Sequence, residues 1–205
     1  MEVSGRAYRL THPSVADDLI DEAEFDEDDR LPYWAEIWPS AIALARRLSN
    51  EDLAGRRVVE LGVGVGLPTL VALDRGAGVL ATDYYAAALD FTRHNARTNG
   101  LTEPKTTLLD WHDWHDGPGA GAFDLVIAAD VMYEERSTRS LARLLPGLLG
   151  PGGEALFADP GRRYEPLFRE LMQENGFRFE TEETTVEVDG IDRDVTVLVH
   201  RIRRR

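Results

Sequence analysis

Val58-Val59-Glu60-Leu61-Gly62-Val63-Gly64-Val65-Gly66 is the stretch on which the fold turns. A short apolar run ends in an acid, and three glycines follow at every second position. Leu67-Pro68 then opens an apolar helical pattern. Glycine has no Cβ, so it can take positive φ and let a bound molecule approach the backbone. Between a strand and a helix N-terminus, such a loop is a cradle for a nucleotide-like cofactor. About twenty residues on, Val79-Leu80-Ala81-Thr82-Asp83 reads as a second buried strand that also ends in an acid. A carboxylate there can accept both hydroxyls of a ribose.

From Arg56 onward the pattern alternates. Strands are expected at Arg57–Leu61, Val79–Thr82, Thr106–Leu109, Phe123–Ala128 and Glu154–Ala158. Helices are expected at Leu67–Arg75, Tyr85–Thr98, Arg136–Leu148 and Tyr164–Asn175. Asn99-Gly100, Gly117-Pro118-Gly119 and Gly150-Pro151-Gly152-Gly153 punctuate them. The apolar runs lack strict alternation, as parallel strands covered on both faces do. Thr181–Val188 and Asp194–Arg201 then alternate around Asp189-Gly190, a hairpin signal. The expected architecture is α/β: a Rossmann-like, doubly wound, mostly parallel seven-stranded sheet with a C-terminal antiparallel hairpin. One domain is expected over residues 1–205, with an acidic extension at 1–30, a tryptophan-containing segment and helix at 31–50, and the core at 56–205. A short strand is expected around Tyr8–Leu10. Pro39 suits a helix first turn, and Ile42, Leu44, Ala45 and Leu48 give the following helix a buried face.

Composition narrows the function. With 205 residues, 43% of them hydrophobic, the chain can build one full core. It has no apolar run of about eighteen residues, so no transmembrane helix is expected. Its N-terminus lacks the basic-then-apolar pattern of a secretory signal. The absence of cysteine removes disulfides, thiolate metal sites and cysteine nucleophiles. A cytoplasmic monomer is the default expectation. A net charge of −14 argues against a nucleic-acid partner, whose phosphates need clustered Lys and Arg. Acidity fits a basic or lysine-bearing substrate, or it serves solubility. Asp17 to Asp29 holds nine acids and no base, which favours a solvated segment over a flap. The terminal Arg201–Arg205 run reads as a solvated tail.

In a doubly wound sheet, ligands sit beyond the C-terminal strand ends. Those ends carry Glu60–Gly66, Asp83-Tyr84, Asp110-Trp111 and Ala129-Asp130-Val131-Met132-Tyr133. Carboxylates can accept hydrogen bonds from ribose hydroxyls and an adenine amino group, and aromatic rings can cover adenine. The glycine spacing is not the dinucleotide G-x-G-x-x-G, because position 67 is Leu. It is E-x-G-x-G-x-G, which resembles the first motif of class I S-adenosylmethionine (SAM) methyltransferases. An acidic, aromatic rim also suits a sulfonium cation.

The Pro32-to-Ala41 segment, the Glu60-to-Gly66 loop, Asp83, Trp111, Asp130-Val131-Met132-Tyr133 and Asp159-Pro160-Gly161-Arg162 together resemble the seven-β-strand protein-lysine methyltransferases. That family includes the electron-transfer-flavoprotein β-subunit lysine methyltransferase and bacterial relatives. The resemblance covers roughly residues 31–202 and is more specific for fold and cofactor than for substrate. It implies SAM as cofactor, S-adenosylhomocysteine as product and a protein substrate bearing a lysine. It implies that Trp38 contacts the cofactor and that Gly62, Val63, Gly64 and Gly66 line its methionine and ribose, with Glu60 at the loop's root. Asp83 would hold the ribose hydroxyls beside Tyr84. Asp110 and Trp111 would bracket adenine, and Ala129 would contribute its backbone. Asp130 and Tyr133 occupy a D-x-x-Y motif at the acceptor mouth. There Asp130 would attract and orient the ammonium before water takes its proton, and Tyr133 would steer the lone pair.

N-methylation of a small-molecule amine or heteroaromatic nitrogen is the alternative. A dehydrogenase and a non-catalytic binding module are weaker readings, opposed by Leu67 and by intact Glu60, Asp83 and Asp130. Trp34 is read as core. His112 and His115 lie in a short polar connection and carry no metal reading.

Overall fold

The computed structural model describes residues 1–13, 33–113, 121–187 and 194–205. The acidic run Asp17–Asp29, the Leu31-Pro32 start of the tryptophan segment, Trp114 to Gly119 with His115, and the Asp189-Gly190 turn lie outside them. In chain order the strands are β1 (Glu2–Val3), β2 (Arg6–Ala7), β3 (Arg57–Leu61), β4 (Gly78–Asp83), β5 (Lys105–Leu108), β6 (Phe123–Ala129), β7 (Leu149–Asp159), β8 (Phe177–Val186) and β9 (Val195–Arg204). The helices are α1 (Pro39–Leu48), α2 (Leu67–Asp74), α3 (Ala86–Thr98), α4 (Glu135–Leu148) and α5 (Glu165–Glu174).

Seven strands form one sheet in the order β5-β4-β3-β6-β7-β9-β8. The pairs from β5 to β7 are parallel, and β9 runs antiparallel to both β7 and β8. The expected doubly wound sheet with its antiparallel hairpin is therefore present. The chain lays β3, β4 and β5 outward on one side, then returns across β3 to place β6. At that reversal the connections leave in opposite directions and open a crevice beyond the strand ends. The register keeps those ends level: Leu61 pairs with Thr82 on one side and Ala128 on the other.

Parallel strands covered on both faces need apolar side chains in both directions, and the core divides accordingly. Val58, Leu125, Ile127 and Leu156 face α1, α2 and α3, where Leu44, Leu48, Leu70 and Val71 are buried. Val59, Leu61, Val126, Ala128 and Phe157 face α4 and α5, where Leu141, Leu145, Phe168 and Met172 are buried. Phe157 and Phe168 stack with ring centroids 5.2 Å apart. Among the described residues no helix is long and apolar enough to cross a membrane.

Three expectations need correction. The short strand near Tyr8–Leu10 is replaced by the β1–β2 pair, turned at Ser4-Gly5, where φ is positive at both residues. Tyr8 instead buries its ring and donates its hydroxyl to Asp74. Gly150 to Gly153 is not a turn but lies inside β7, at a shift in the β6–β7 register between Phe123 and Leu125. The glycines permit this because a Cβ on Gly150 or Gly153 would lie within 3.0 Å of the Gly121 or Phe123 carbonyl. The arginines from 201 to 204 are not a tail but the C-terminal part of β9. Arg201 pairs with Glu51 and with Glu154 at 2.7 Å, and Arg203 pairs with Glu154 at 2.9 Å and Glu180 at 3.1 Å. The hairpin strands consequently extend beyond the alternating pattern that announced them.

Candidate active site

One cavity opens beyond the ends of β3, β4, β5 and β6. Its wall includes every residue singled out from the sequence: Trp38, Glu60, Gly62, Val63, Gly64, Gly66, Asp83, Tyr84, Asp110, Trp111, Ala129, Asp130 and Tyr133. Six carboxylates line it, on Glu36, Glu60, Asp83, Asp110, Asp130 and Glu134, and no Lys or Arg is among the described lining residues.

The glycine loop is shaped by what surrounds it. Gly62, Gly64 and Gly66 all have positive φ. A Cβ on Gly64 would sit 3.1 Å from the Trp34 carbonyl, and one on Gly62 would sit 3.2 Å from the Trp111 ring. From behind, α3 holds the loop: Thr92 donates its hydroxyl to the Gly64 carbonyl at 3.1 Å, and Asn95 donates its amide to the Val65 carbonyl at 2.9 Å. Sequence reasoning missed these two residues. The signal was present, because Thr92 and Asn95 are polar, spaced by three, on the buried face that also carries Ala88, Leu89 and Ala96.

Two acids organise the floor. Asp83 is 5% exposed and accepts the Gly64 amide on one oxygen and the Tyr85 amide on the other, each at 3.0 Å. Burial raises its pKa, and the backbone hydrogen bonds from Tyr85 and Gly64 oppose that rise. Glu60 is 1% exposed and accepts the Thr69 hydroxyl. Burial pushes its carboxyl up to about 8, against the Thr69 hydrogen bonds and with the Asp83 charge adding to the rise. Asp110 accepts the His112 amide at 2.8 Å, and the His112 ring meets Ser140 at 2.9 Å. Among the described residues no group of three or more His, Cys, Asp or Glu could hold a metal.

The mouth is aromatic. Tyr33 packs edge-on against Trp38 at 6.1 Å and Tyr133 at 5.8 Å. Tyr33, Tyr84 and Tyr133 are each 40% exposed or more. Trp34 is buried against Tyr85 and Phe91 and so belongs to the core as well as the cavity wall. Trp38 caps α1 in extended backbone and donates its indole N–H to the Tyr33 carbonyl at 2.9 Å.

Asp130 stands at the end of β6 in left-handed backbone, with φ of 60°. Its carboxylate accepts Arg162 Nε at 2.7 Å on one oxygen and the Ser40 hydroxyl at 3.3 Å on the other. Its charge is thus already paired, which the sequence did not disclose.

The cavity fits an adenosyl sulfonium on its own features. The loop leaves no room for Cβ atoms, and the Trp111 indole nitrogen is buried without a hydrogen-bond partner. The carboxylate lining matches ribose hydroxyls and a cation.

The chain matches the family described as "Lysine methyltransferase" across residues 21–174. It is 32% identical over 184 residues to EEF1A lysine methyltransferase 3 of Mus musculus, covering 86% of this chain and 75% of that protein. It is 36% identical over 136 residues to the electron transfer flavoprotein beta subunit lysine methyltransferase of Danio rerio. That match covers 64% of this chain and 51% of the relative, about half its length. Among solved structures, a ribosomal protein L11 methylase from Lactobacillus delbrueckii subsp. bulgaricus superposes with a TM-score of 0.59 at 22% identity, covering 80% of this chain and 76% of that one. At that identity the likeness bears on the fold alone.

Proposed function

The chain belongs to the lysine methyltransferase family matched across residues 21–174, and from that membership we propose that it transfers a methyl group from SAM to the side-chain amine of a lysine in another protein. The observation that carries the reading is the cavity at the sheet's reversal, lined by six carboxylates and no Lys or Arg among the described residues. Even with Glu60 kept protonated by burial and Asp130 paired with Arg162, such a lining favours a sulfonium over any phosphorylated ligand. The two relatives described above bear names in which lysine is the residue modified.

When bound, SAM supplies a methyl group activated by a cationic sulfur. We assign Asp83 to the ribose hydroxyls, with Tyr84 beside it. The Gly62–Gly66 backbone, including Val63, is assigned to the methionine and ribose, with Glu60 fixing the loop's root through Thr69. Asp110 and Trp111 are assigned to adenine, and Trp38 and the Ala129 backbone to the acceptor side of the cofactor. What remains for the residues of this chain is to present an amine in line. A lysine has a reference pKa of about 10.4, so freeing its lone pair near pH 7 costs about 5 kcal/mol. Desolvation in the aromatic mouth and a neighbouring cation lower that cost. Tyr133 is partly open to solvent, yet its phenol is pushed above the ordinary range by burial first and then by the Glu134 and Asp83 charges. It therefore stays protonated and orients the amine without ionising. We read residues 1–205 as one methyltransferase unit.

The test is incubation with radiolabelled SAM and a lysate from a strain lacking this protein. Label is expected in the macromolecular fraction, on lysine after hydrolysis. Label confined to small molecules, or found on another residue, overturns the reading.

A further inference from the structure

Arg162 touches three parts of the site at once. Its Nε donates to Asp130 at the end of β6. Its own amide and that of Gly161 donate to Asp159 at the end of β7, at 2.6 and 2.8 Å. Its guanidinium lies over the Trp38 ring, 5.5 Å from the centroid. The backbone of Asp130 is held at that point in left-handed conformation, with its amide donating to the Ala158 carbonyl at 2.9 Å. The arginine is thus seated by backbone on one side and by an aromatic face on the other, with its charge delivered to one carboxylate.

We infer that Arg162 is a positioning residue for the methyl acceptor: it occupies the charge of Asp130, so that the lysine meets a compensated carboxylate and is not held there as an ammonium ion. This rests on the lysine reading above. The amine must lose its proton to water before its lone pair forms the new N–C bond, while the S–C bond breaks toward sulfur. A bare carboxylate beside the amine would hold that proton. Trp38, Tyr33 and Tyr133 then guide the neutral side chain.

The groups around Asp130 set the sign. Arg162 comes from the loop after β7 and Ser40 from α1. Asp159 ends β7, and its carboxyl is pushed up to about 6 by burial, with the Asp130 charge adding and the Arg162 and Gly161 amides opposing. Tyr33 lies near Arg162, and Tyr133 and Glu134 follow Asp130 in the cavity wall. Asp159 is anionic above pH 7, and Arg162 is the cation paired to Asp130. Removing it leaves net negative charge facing the amine.

The test uses Arg162→Gln with two readouts. The first is the pH dependence of label transfer from SAM to the lysate proteins, between about pH 6.5 and 9.5. Its midpoint is expected to rise by about one pH unit in the variant. The second needs no turnover: n-butylammonium, the lysine side chain without its backbone, is titrated into the protein loaded with S-adenosylhomocysteine and followed by saturation-transfer NMR. Binding is expected to tighten several-fold in Arg162→Gln. Adding Asp130→Asn to that variant should return both readouts toward wild type, and Arg162→Lys should keep the wild-type midpoint. If Arg162→Gln does not fold, Arg162→Met, which keeps an apolar stem over Trp38, reads the same two quantities. An unchanged midpoint together with unchanged n-butylammonium affinity overturns the inference. Absence of label on protein lysine with the wild type overturns the lysine reading instead.

Discussion

Asp83 accepts the Gly64 and Tyr85 amides from a place where burial makes a charge costly. One oxygen fixes the glycine loop and the other the turn after β4, and the residue lines the cavity. Asp83→Ala is expected to weaken SAM binding at least about 100-fold by calorimetry, since both a ligand acceptor and the loop's anchor go together; wild-type affinity would remove Asp83 from the cofactor map. Glu60 makes a different prediction. Its carboxyl ordinarily titrates near 4.5 and is pushed up to about 8 in the fold. Between those values the native state keeps a proton that the unfolded chain has lost, so stability falls as pH rises through that window. Asp159 acts the same way, but its window closes at about 6. Glu60 therefore contributes to the loss between pH 6 and 8, together with Asp83, whose carboxyl burial also raises. Glu60→Gln keeps an acceptor for Thr69 and should make urea-denaturation stability fall less steeply across that interval in the ligand-free protein. An equal slope in wild type and variant would place the titration elsewhere.

The element that holds the site together is the β3–loop–α2 unit. Gly66 begins α2 with φ of 89°, and a Cβ there would lie 2.8 Å from Thr92. Gly66→Ala combines a left-handed alanine with a clash against the helix that clamps the loop. It is expected to cost about 2–3 kcal/mol in chemical denaturation and to weaken SAM binding in parallel. Full stability would mean that α3 can yield without disturbing the loop. This unit was legible in the sequence because its demands are local: buried parallel strands need unbroken apolar runs, and a close ligand needs glycine. The acids at the strand ends were legible for the same reason, since topology alone sends them to one edge. Partners distant in the chain were not legible. Arg162 lies 32 residues from Asp130, and Arg201 meets Glu51 and Glu154 from opposite parts of the sequence. A basic run at the chain's end gave no sign that three carboxylates awaited it. The Gly150–Gly153 cluster misled because close backbone approach, not chain reversal, is what it serves.

Across the whole molecule, charge is sorted by end. The cavity end gathers acids, while the opposite edge of the sheet ties β3, β7 and β9 together through Glu154. That residue, 8% exposed, accepts Arg203 at 2.9 Å and Arg201 at 2.7 Å and pairs with Arg56 at 3.3 Å. Burial works against its ionisation, but the arginines prevail and hold its pKa below the usual range. Glu154→Gln leaves those cations without their shared anion and is expected to cost about 2 kcal/mol by urea denaturation, discounted for the partial exposure of the arginines. A loss that disappears at neutral pH would show the network to be incidental. The strand order also has a consequence in time. β9 is the inner strand and β8 the outer, although β8 precedes it in the chain, and α1 covers the face to which Val186, Val197 and Val199 contribute. As the ribosome emits the polypeptide, β8 emerges before the strip that must anchor it, while α1 can already pack on α2, β6 and β7. The outer edge of the sheet therefore closes only once β9 has been translated, whichever strand leaves the ribosome first.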